Sequence, residues 1–251
     1  MPVESDLPPQ IVAMAGGGFS EEPDSPLLDD FVLHLTGKKV PRICFVPTAS
    51  GDAQGYIEKF HAHFPAARAE ASHLTLFRKS DVNDSRTLLL NQDVVYVGGG
   101  STANMLAIWR LHGIDRILRD AWRSGVILTG LSAGMICWFQ EGLTDSFGGA
   151  LAPFKDGLGF LKGSACPHYD SESERRPAYH EFVRTGKLAA GFAADDGAAL
   201  HFVGTSLLEV VSSRPQARAY RVALESGQVV ETPLKTRYLG GKGAWDSALT
   251  Q

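Results

Sequence analysis

Short apolar runs alternate with amphipathic stretches through the first half of the chain. The runs are "IVAMAGGG" (11–18), "RICFVPTAS" (42–50), "HLTLF" (73–77), "DVVYVGGG" (93–100) and "GVILTGLS" (125–132), and several end in small residues. Runs of this length, without polar alternation, suit strands buried on both faces of a parallel sheet. Between them the period changes. In "IDRILRDAWRSG", Ile114, Ile117, Leu118, Ala121 and Trp122 form one helical stripe, and Gly125 stops it. "ANMLAIWRLHG" (103–113) reads the same way. Strand and helix in alternation predict right-handed crossovers and an α/β sheet covered by helices. In such sheets ligands sit beyond the carboxyl ends of the strands, here Gly16–Gly18, Ser50, Gly98–Ser101 and Ser132.

The second half has a different rhythm. "LGFLKGSACPHYD" (158–170) ends near a histidine, and a helix is predicted from about Arg175 to Lys187, with Tyr179, Phe182 and Val183 on one face. "GFAADDGAALHFVG", "SLLEVVSS" and "RAYRVALESGQVVETPL" read as strands and hairpins, the last turning at Glu225–Gln228. They are expected to extend the same sheet, in part antiparallel. With no internal repeat or low-complexity linker, residues 1–251 read as one α/β domain with a frayed start at 1–9.

Composition narrows the function. A chain of 251 residues with 44% hydrophobic content buries a sizeable core. Its net charge of −4 argues against nucleic acid or an anionic membrane as partner. No apolar run approaches the roughly 18–20 residues of a membrane span, and the polar, proline-rich "MPVESDLPPQ" lacks the pattern of a secretory signal. Cys44, Cys137 and Cys166 are odd in number and scattered, without a CxxC pair. That speaks against a disulfide frame or a zinc site and for thiols in a reducing compartment. The expectation is a cytoplasmic protein with no metal and no organic cofactor.

The chemistry centres on Gly130-Leu131-Ser132-Ala133-Gly134, a G-x-S-x-G pattern between a predicted strand and the start of a helix. Flanking glycines leave room for a strained turn that lifts the serine hydroxyl clear of the backbone. The next amide, on Ala133, then points at the attacked carbonyl from a helix N-terminus. The bland alternative is a small-residue turn after a buried strand. A serine hydroxyl needs a base. Of eight histidines, His168 stands out because it follows an apolar run and Pro167 at a strand end, whereas His201 lies inside the strand-like "ALHFVG". His34, His61, His63, His73, His112 and His180 lie in helical or strand-start contexts without a catalytic frame. The acid that would orient the base has three candidates: Asp196 in "AADDGAAL", Asp145 in "GLTDSFGG" and Asp170. "VGGGST" offers further amides to an anion. "AGGGF" lacks G-x-G-x-x-G, and no P-loop follows any strand, so nucleotide binding is only weakly supported.

"YVGGGST", "GLSAG", "PHYDSE" and "DDGAAL", in that order on a mostly parallel sheet, resemble the peptidase E group of serine peptidases, which includes aspartyl dipeptidases and, more distantly, cyanophycinases. The resemblance spans roughly residues 10 to 225. It implies a three-layer αβα fold similar to class I glutamine amidotransferases, flavodoxin-like, with serine at the elbow and antiparallel strands towards the C-terminus. It implies Ser132 as nucleophile, His168 as general base and Asp196, aligned on Gly197, as the acid, with Asp145 the second choice. The amides of Ala133 and of Gly99 or Gly100 would form the oxyanion hole, and Arg175 or Arg176 would read an acidic substrate side chain. The implied partner is a small peptide, Asp-X dipeptides among the candidates, and the implied state a monomer or homodimer. Three departures stand out: Gly100-Ser101-Thr102 where the family commonly reads GGGNT, aspartate for glutamate at 196, and a shorter loop after the histidine. Two rival readings follow from the residues: an esterase of α/β-hydrolase type using Ser132, Asp170 and His201, and a catalytically quiet scaffold that binds a small ligand.

Overall fold

The computed structural model describes residues 8–77, 82–241 and 243. Most of the expected frayed start, residues 1–7, lies outside the described residues, while the Pro9 carbonyl accepts a hydrogen bond from the Gly204 amide at 2.7 Å. The first-half runs form strands β1 (Gln10–Met14), β2 (Arg42–Val46), β3 (Glu70–His73), β4 (Val94–Val97) and β5 (Ile127–Leu131). Helices α1 (Gly18–Glu21), α2 (Leu27–His34), α3 (Gln54–His63), α4 (Val82–Leu90), α5 (Thr102–His112) and α6 (Ile114–Arg123) connect them. Side chains alternate across the sheet. Val12, Met14, Phe45 and Tyr96 pack with Phe19, Phe31 and Phe60 of α1–α3 on one face. Ile11, Ala13, Val95 and Val97 pack with Trp109, Ile117 and Leu118 of α5–α6 on the other. The buried residues of α6 are Ile114, Ile117, Leu118, Ala121 and Trp122, the stripe the sequence predicts.

One strand is displaced from its expected run. β3 occupies Glu70–His73 rather than "HLTLF", and pairs only with β2. As the outermost strand it is partly exposed, so polar residues serve there, while Leu74 and Leu76 are buried just beyond its end.

The remaining elements are α7 (Ala133–Ile136), β6 (Phe139–Thr144), β7 (Ala152–Phe154), β8 (Leu161–Cys166), α8 (Arg175–Arg184), β9 (Gly191–Ala194), β10 (Ala198–Val203), β11 (Ser206–Ser212), β12 (Ala219–Glu225), β13 (Gln228–Pro233) and β14 (Thr236–Tyr238). They do not all extend the first sheet. The central sheet runs β14-β11-β10-β1-β5-β4-β2-β3, parallel from β1 through β5, β4 and β2 to β3, with β10 antiparallel to β1 and β11 antiparallel to β10. A second sheet, β13-β12-β9-β8-β6-β7, covers part of one face. The cause is local. The helix after the serine turn lasts a single turn, and the chain becomes extended again at Phe139. Phe139 and Phe192 of the second sheet meet Phe202 of the first, with ring centroids 5.8 and 5.7 Å from it. "AADDGAAL" is therefore not a hairpin. β9 pairs with β8 and β12, β10 pairs with β1 and β11, and Asp195–Gly197 carries the chain from one sheet to the other.

Two other expectations resolve simply. The β12–β13 hairpin turns at Ser226 and Gly227, both with positive φ, as a two-residue loop requires. Helix α8 stops at Arg184, short of Lys187, because Gly186 takes the left-handed conformation. Cys44, Cys137 and Cys166 are free and buried. Among the described residues no helix is long and apolar enough to cross a membrane.

Candidate active site

Ser132 stands at φ 55°, ψ −110°, between β5 and α7, a backbone conformation that a non-glycine residue adopts only under constraint. Its amide donates towards the carbonyls of Met14 and Ala15, which ties the turn to the end of β1. The flanking glycines are needed for contact with β4. A Cβ on Gly130 would lie 2.7 Å from the Val97 carbonyl oxygen, and one on Gly134 only 2.5 Å from the same atom. No side-chain rotation relieves a clash with backbone. Because α7 is one turn long, it lends the Ala133 amide little macrodipole. Any oxyanion stabilisation there comes from the N–H itself, contrary to the expectation of a full helix.

The "GGGST" turn packs beside the serine. Gly99 touches the Ser132 side chain so closely that a Cβ would sit 3.3 Å from it, and the Gly99 amide donates to Tyr56 Oη at 3.3 Å. Gly100, at φ 133°, lies against Ala49, where a Cβ would fall 2.3 Å from the carbonyl oxygen. Ser101 caps α5 by accepting from the Asn104 amide at 3.3 Å. The Asn104 side chain lines the cleft together with Ser101, so a carboxamide is present one turn after the place where the GGGNT pattern would put it.

His168 follows β8 and has φ 55°, a second constrained backbone. Its Nδ1 is 2.7 Å from Asp196 Oδ1, and both side chains are about seven-eighths buried, with 12% exposure each. Burial alone would lower the imidazole pKa, but the hydrogen bond and charge of Asp196 outweigh it and hold His168 above its ordinary value. Burial likewise pushes the Asp196 carboxyl up, while hydrogen bonds from His168 and Ser171 bring it below the usual aspartate range. The Asp196 amide donates to Asp170 Oδ1 at 2.8 Å, which gives Asp170 a supporting place. Neighbouring Asp195 faces away and accepts from the Arg218 amide at 2.9 Å.

Ser132 and His168 open onto one cleft of about 350 Å³, lined also by Gly100, Asn104, Asp145, Glu172 and Arg175. No hydrogen bond joins the serine hydroxyl to the ring, a looseness common in sites without substrate. Asp145 is exposed on the cleft wall and makes no bond to His168. Arg175 is buried, with Nε on Glu172 at 2.7 Å and Nη1 3.4 Å from the Leu143 carbonyl. Arg176 points elsewhere, stacked over Tyr169 and Tyr220 at 4.5 and 5.0 Å from their ring centroids. His201 is a buried strand histidine on Gln10 Oε1 at 2.8 Å, so the Ser132–Asp170–His201 grouping is not assembled. Glu21 does not stand out in the sequence, yet its carboxylate lies within 4.8 Å of a ring nitrogen of His168 and a carboxylate oxygen of Asp196. An acidic residue in a short helix after three glycines carries no signal of its own. The donors of this trio are already engaged, Asp196 by His168 and Glu21 by the Gly17 amide at 2.7 Å, so the cluster is a hydrogen-bonded array.

The mixed α/β architecture is consistent with a class I glutamine amidotransferase-like fold, with the serine turn opening onto a polar cleft. The model of peptidase family S51 matches residues 11–210, and the chain belongs to that family; it is a serine-type peptidase. It is 52% identical over 231 residues to the uncharacterized peptidase YgaJ of Bacillus subtilis (strain 168), covering 92% of this chain and 99% of that protein. Peptidase E of Pasteurella multocida (strain Pm70) is 27% identical over 189 residues, covering 71% of this chain and 77% of the relative. The crystal structure of a peptidase from an acI-B1 Actinobacterium superposes with a TM-score of 0.70 at 17% identity, covering 92% of this chain and 95% of that one, a likeness of fold.

Proposed function

We propose that the chain hydrolyses short peptides through an acyl-enzyme formed on Ser132. The observation that carries this reading is the 2.7 Å His168 Nδ1–Asp196 Oδ1 contact beside the constrained Ser132 turn. Asp196 holds Nδ1, which leaves Nε2 to accept the Ser132 proton as Oγ attacks the scissile carbonyl. The same proton then passes to the leaving amine, and water deacylates the serine by the reverse route. The Ala133 and Gly100 amides are the donors for the oxyanion; the Gly99 amide is already held by Tyr56. Buried unpaired cysteines support a reducing, cytoplasmic setting. The test is a fluorophosphonate: peptide mapping should locate one adduct on Ser132. A folded, unmodified protein would overturn the reading.

We assign the reading of a substrate carboxylate to Arg175, because it is the arginine that lines the cleft beside Ser132 and His168. Arg176 is committed to two aromatic rings instead. Arg175→Lys should lower kcat/KM for Asp-X relative to Ala-X dipeptides by about 10- to 100-fold, the worth of a charged hydrogen bond. Arg176→Lys should change that ratio by no more than about threefold. Equal effects in a dipeptide screen would remove Arg175 from the specificity site.

A further inference from the structure

Glu21 ends the one-turn α1 directly beside the His168–Asp196 pair. The residue as a whole is exposed, yet its carboxylate turns inward and accepts the Gly17 amide at 2.7 Å. Gly16 makes the room. A Cβ there would lie 2.2 Å from Asp196 Oδ1 and 2.6 Å from Glu21 Oε2, so two carboxylates converge on one bare Cα. The Gly197 amide donates to the Gly16 carbonyl at 3.1 Å, which locks the turn carrying Asp196 onto the turn that binds Glu21.

We propose that Glu21 is a second carboxylate of the catalytic centre, a positioning residue that acts through His168 and shares with Asp196 the stabilisation of the imidazolium. The proposal rests on the assignment of Ser132, His168 and Asp196 given above. In the transition state His168 gains a proton, and a negative charge within 4.8 Å favours that gain. The other charges around the ring are paired with one another, although Arg175 still opposes the protonated ring. Arg175 is paired with Glu172, and Arg214 with Glu22, which also accepts from Ser213. Asp170 accepts from the Asp196 amide, and Asp145 is exposed on the cleft wall. The carboxylates that act on the ring are therefore Asp196 and Glu21. The electrostatic direction agrees: burial lowers the His168 pKa, Asp196 raises it more, the Arg175 charge lowers it, and Glu21 adds a smaller upward push. Burial in turn raises the Glu21 carboxyl, so its support fades earlier on acidification than that of an ordinary glutamate.

Glu21→Gln in the full chain separates this role from a structural one. Two readouts are followed across pH: the ring resonances of His168, assigned by their loss in His168→Asn, and the rate of fluorophosphonate inactivation. The His168 midpoint should move to lower pH, because a charge that favoured the protonated ring is gone. The plateau inactivation rate should fall about 3- to 10-fold while its acid limb also moves to lower pH, so that the two profiles cross. Glu21→Asp should restore part of the plateau. In an Asp196→Asn background, Glu21→Gln should remove a further several-fold of the residual rate. An unmoved His168 midpoint and unchanged profile in Glu21→Gln would overturn the proposal and leave the triad standing. Absence of inactivation in the wild type, with a His168 midpoint that still responds to Glu21, would instead overturn the triad and the catalytic role of Glu21 with it.

Discussion

Ser132→Ala is expected to lower kcat on any cleavable peptide by about 10⁶-fold, with KM and melting temperature close to wild type. The size follows from the loss of the hydroxyl proposed to attack, which stands on the constrained turn and opens onto the same cleft as His168. What remains is water attacking a carbonyl polarised by the Ala133 and Gly100 amides, a residual worth about 10³–10⁴ over the uncatalysed reaction. Stability should hold because alanine keeps the Cβ and the same backbone, and the serine hydroxyl makes no side-chain hydrogen bond among the described residues. The turn at φ 55° is held by its amide on β1 and by the two glycines against Val97, none of which changes. Steady-state kinetics beside a thermal melt decides the matter. Wild-type turnover in the variant would mean that another group attacks.

Asp196→Asn should cost about 10³–10⁴ in kcat, whereas Asp145→Asn should stay within a few-fold of wild type. An asparagine amide offers Nδ1 the wrong partner, so the ring loses the tautomer that presents an acceptor to Ser132. Asp145 makes no contact with the ring and stands in solvent. A larger loss at Asp145 would transfer the acid role to it. The substitution also has a signature in stability. The Asp196 carboxyl is held below its ordinary pKa, so its contribution is present above that ordinary value and fades as pH falls through the lower folded one. The His168 pKa is raised, so its contribution is complete below the ordinary imidazole value and fades as pH rises through the folded one. Both are present together between the two ordinary values, about pH 4 to 6.5. The melting-temperature gap between wild type and Asp196→Asn should therefore be widest there and narrow on the alkaline side.

The candidate site residues were more legible than the sheet they sit on. A glycine-flanked serine after a buried strand has few uses, and His168 after Pro167 at a strand end has few competitors. The structure brings both into one cleft and places Asp196 on the ring. The stripe on α6 was equally plain, because five apolar residues at helical spacing admit one buried face. The division into two sheets was hidden. Apolar runs report that a strand is buried, not which neighbour it pairs with, and "AADDGAAL" looks like a hairpin whether or not its strands pair. β3 was hidden for the opposite reason: an outer strand needs no apolar run. Arg175 and Arg176 are indistinguishable by type and are separated only by the direction α8 gives each side chain. Glu21 is brought to His168 by a tight backbone turn through glycines, which leaves no periodic trace.

The passage of Asp195–Gly197 between sheets has a consequence for how the enzyme would fail. Ser132 hangs from the central sheet and His168 from the second, and Asp196 rides on the strap that joins them. The three candidate side chains are thus aligned only while the two sheets are seated together, a contact to which Phe139, Phe192 and Phe202 contribute. A slight parting of that contact would leave every strand ladder intact and still uncouple base from nucleophile. Turnover is therefore a more sensitive gauge of inter-sheet docking than any measure of secondary structure, and on warming it should be the first property to go.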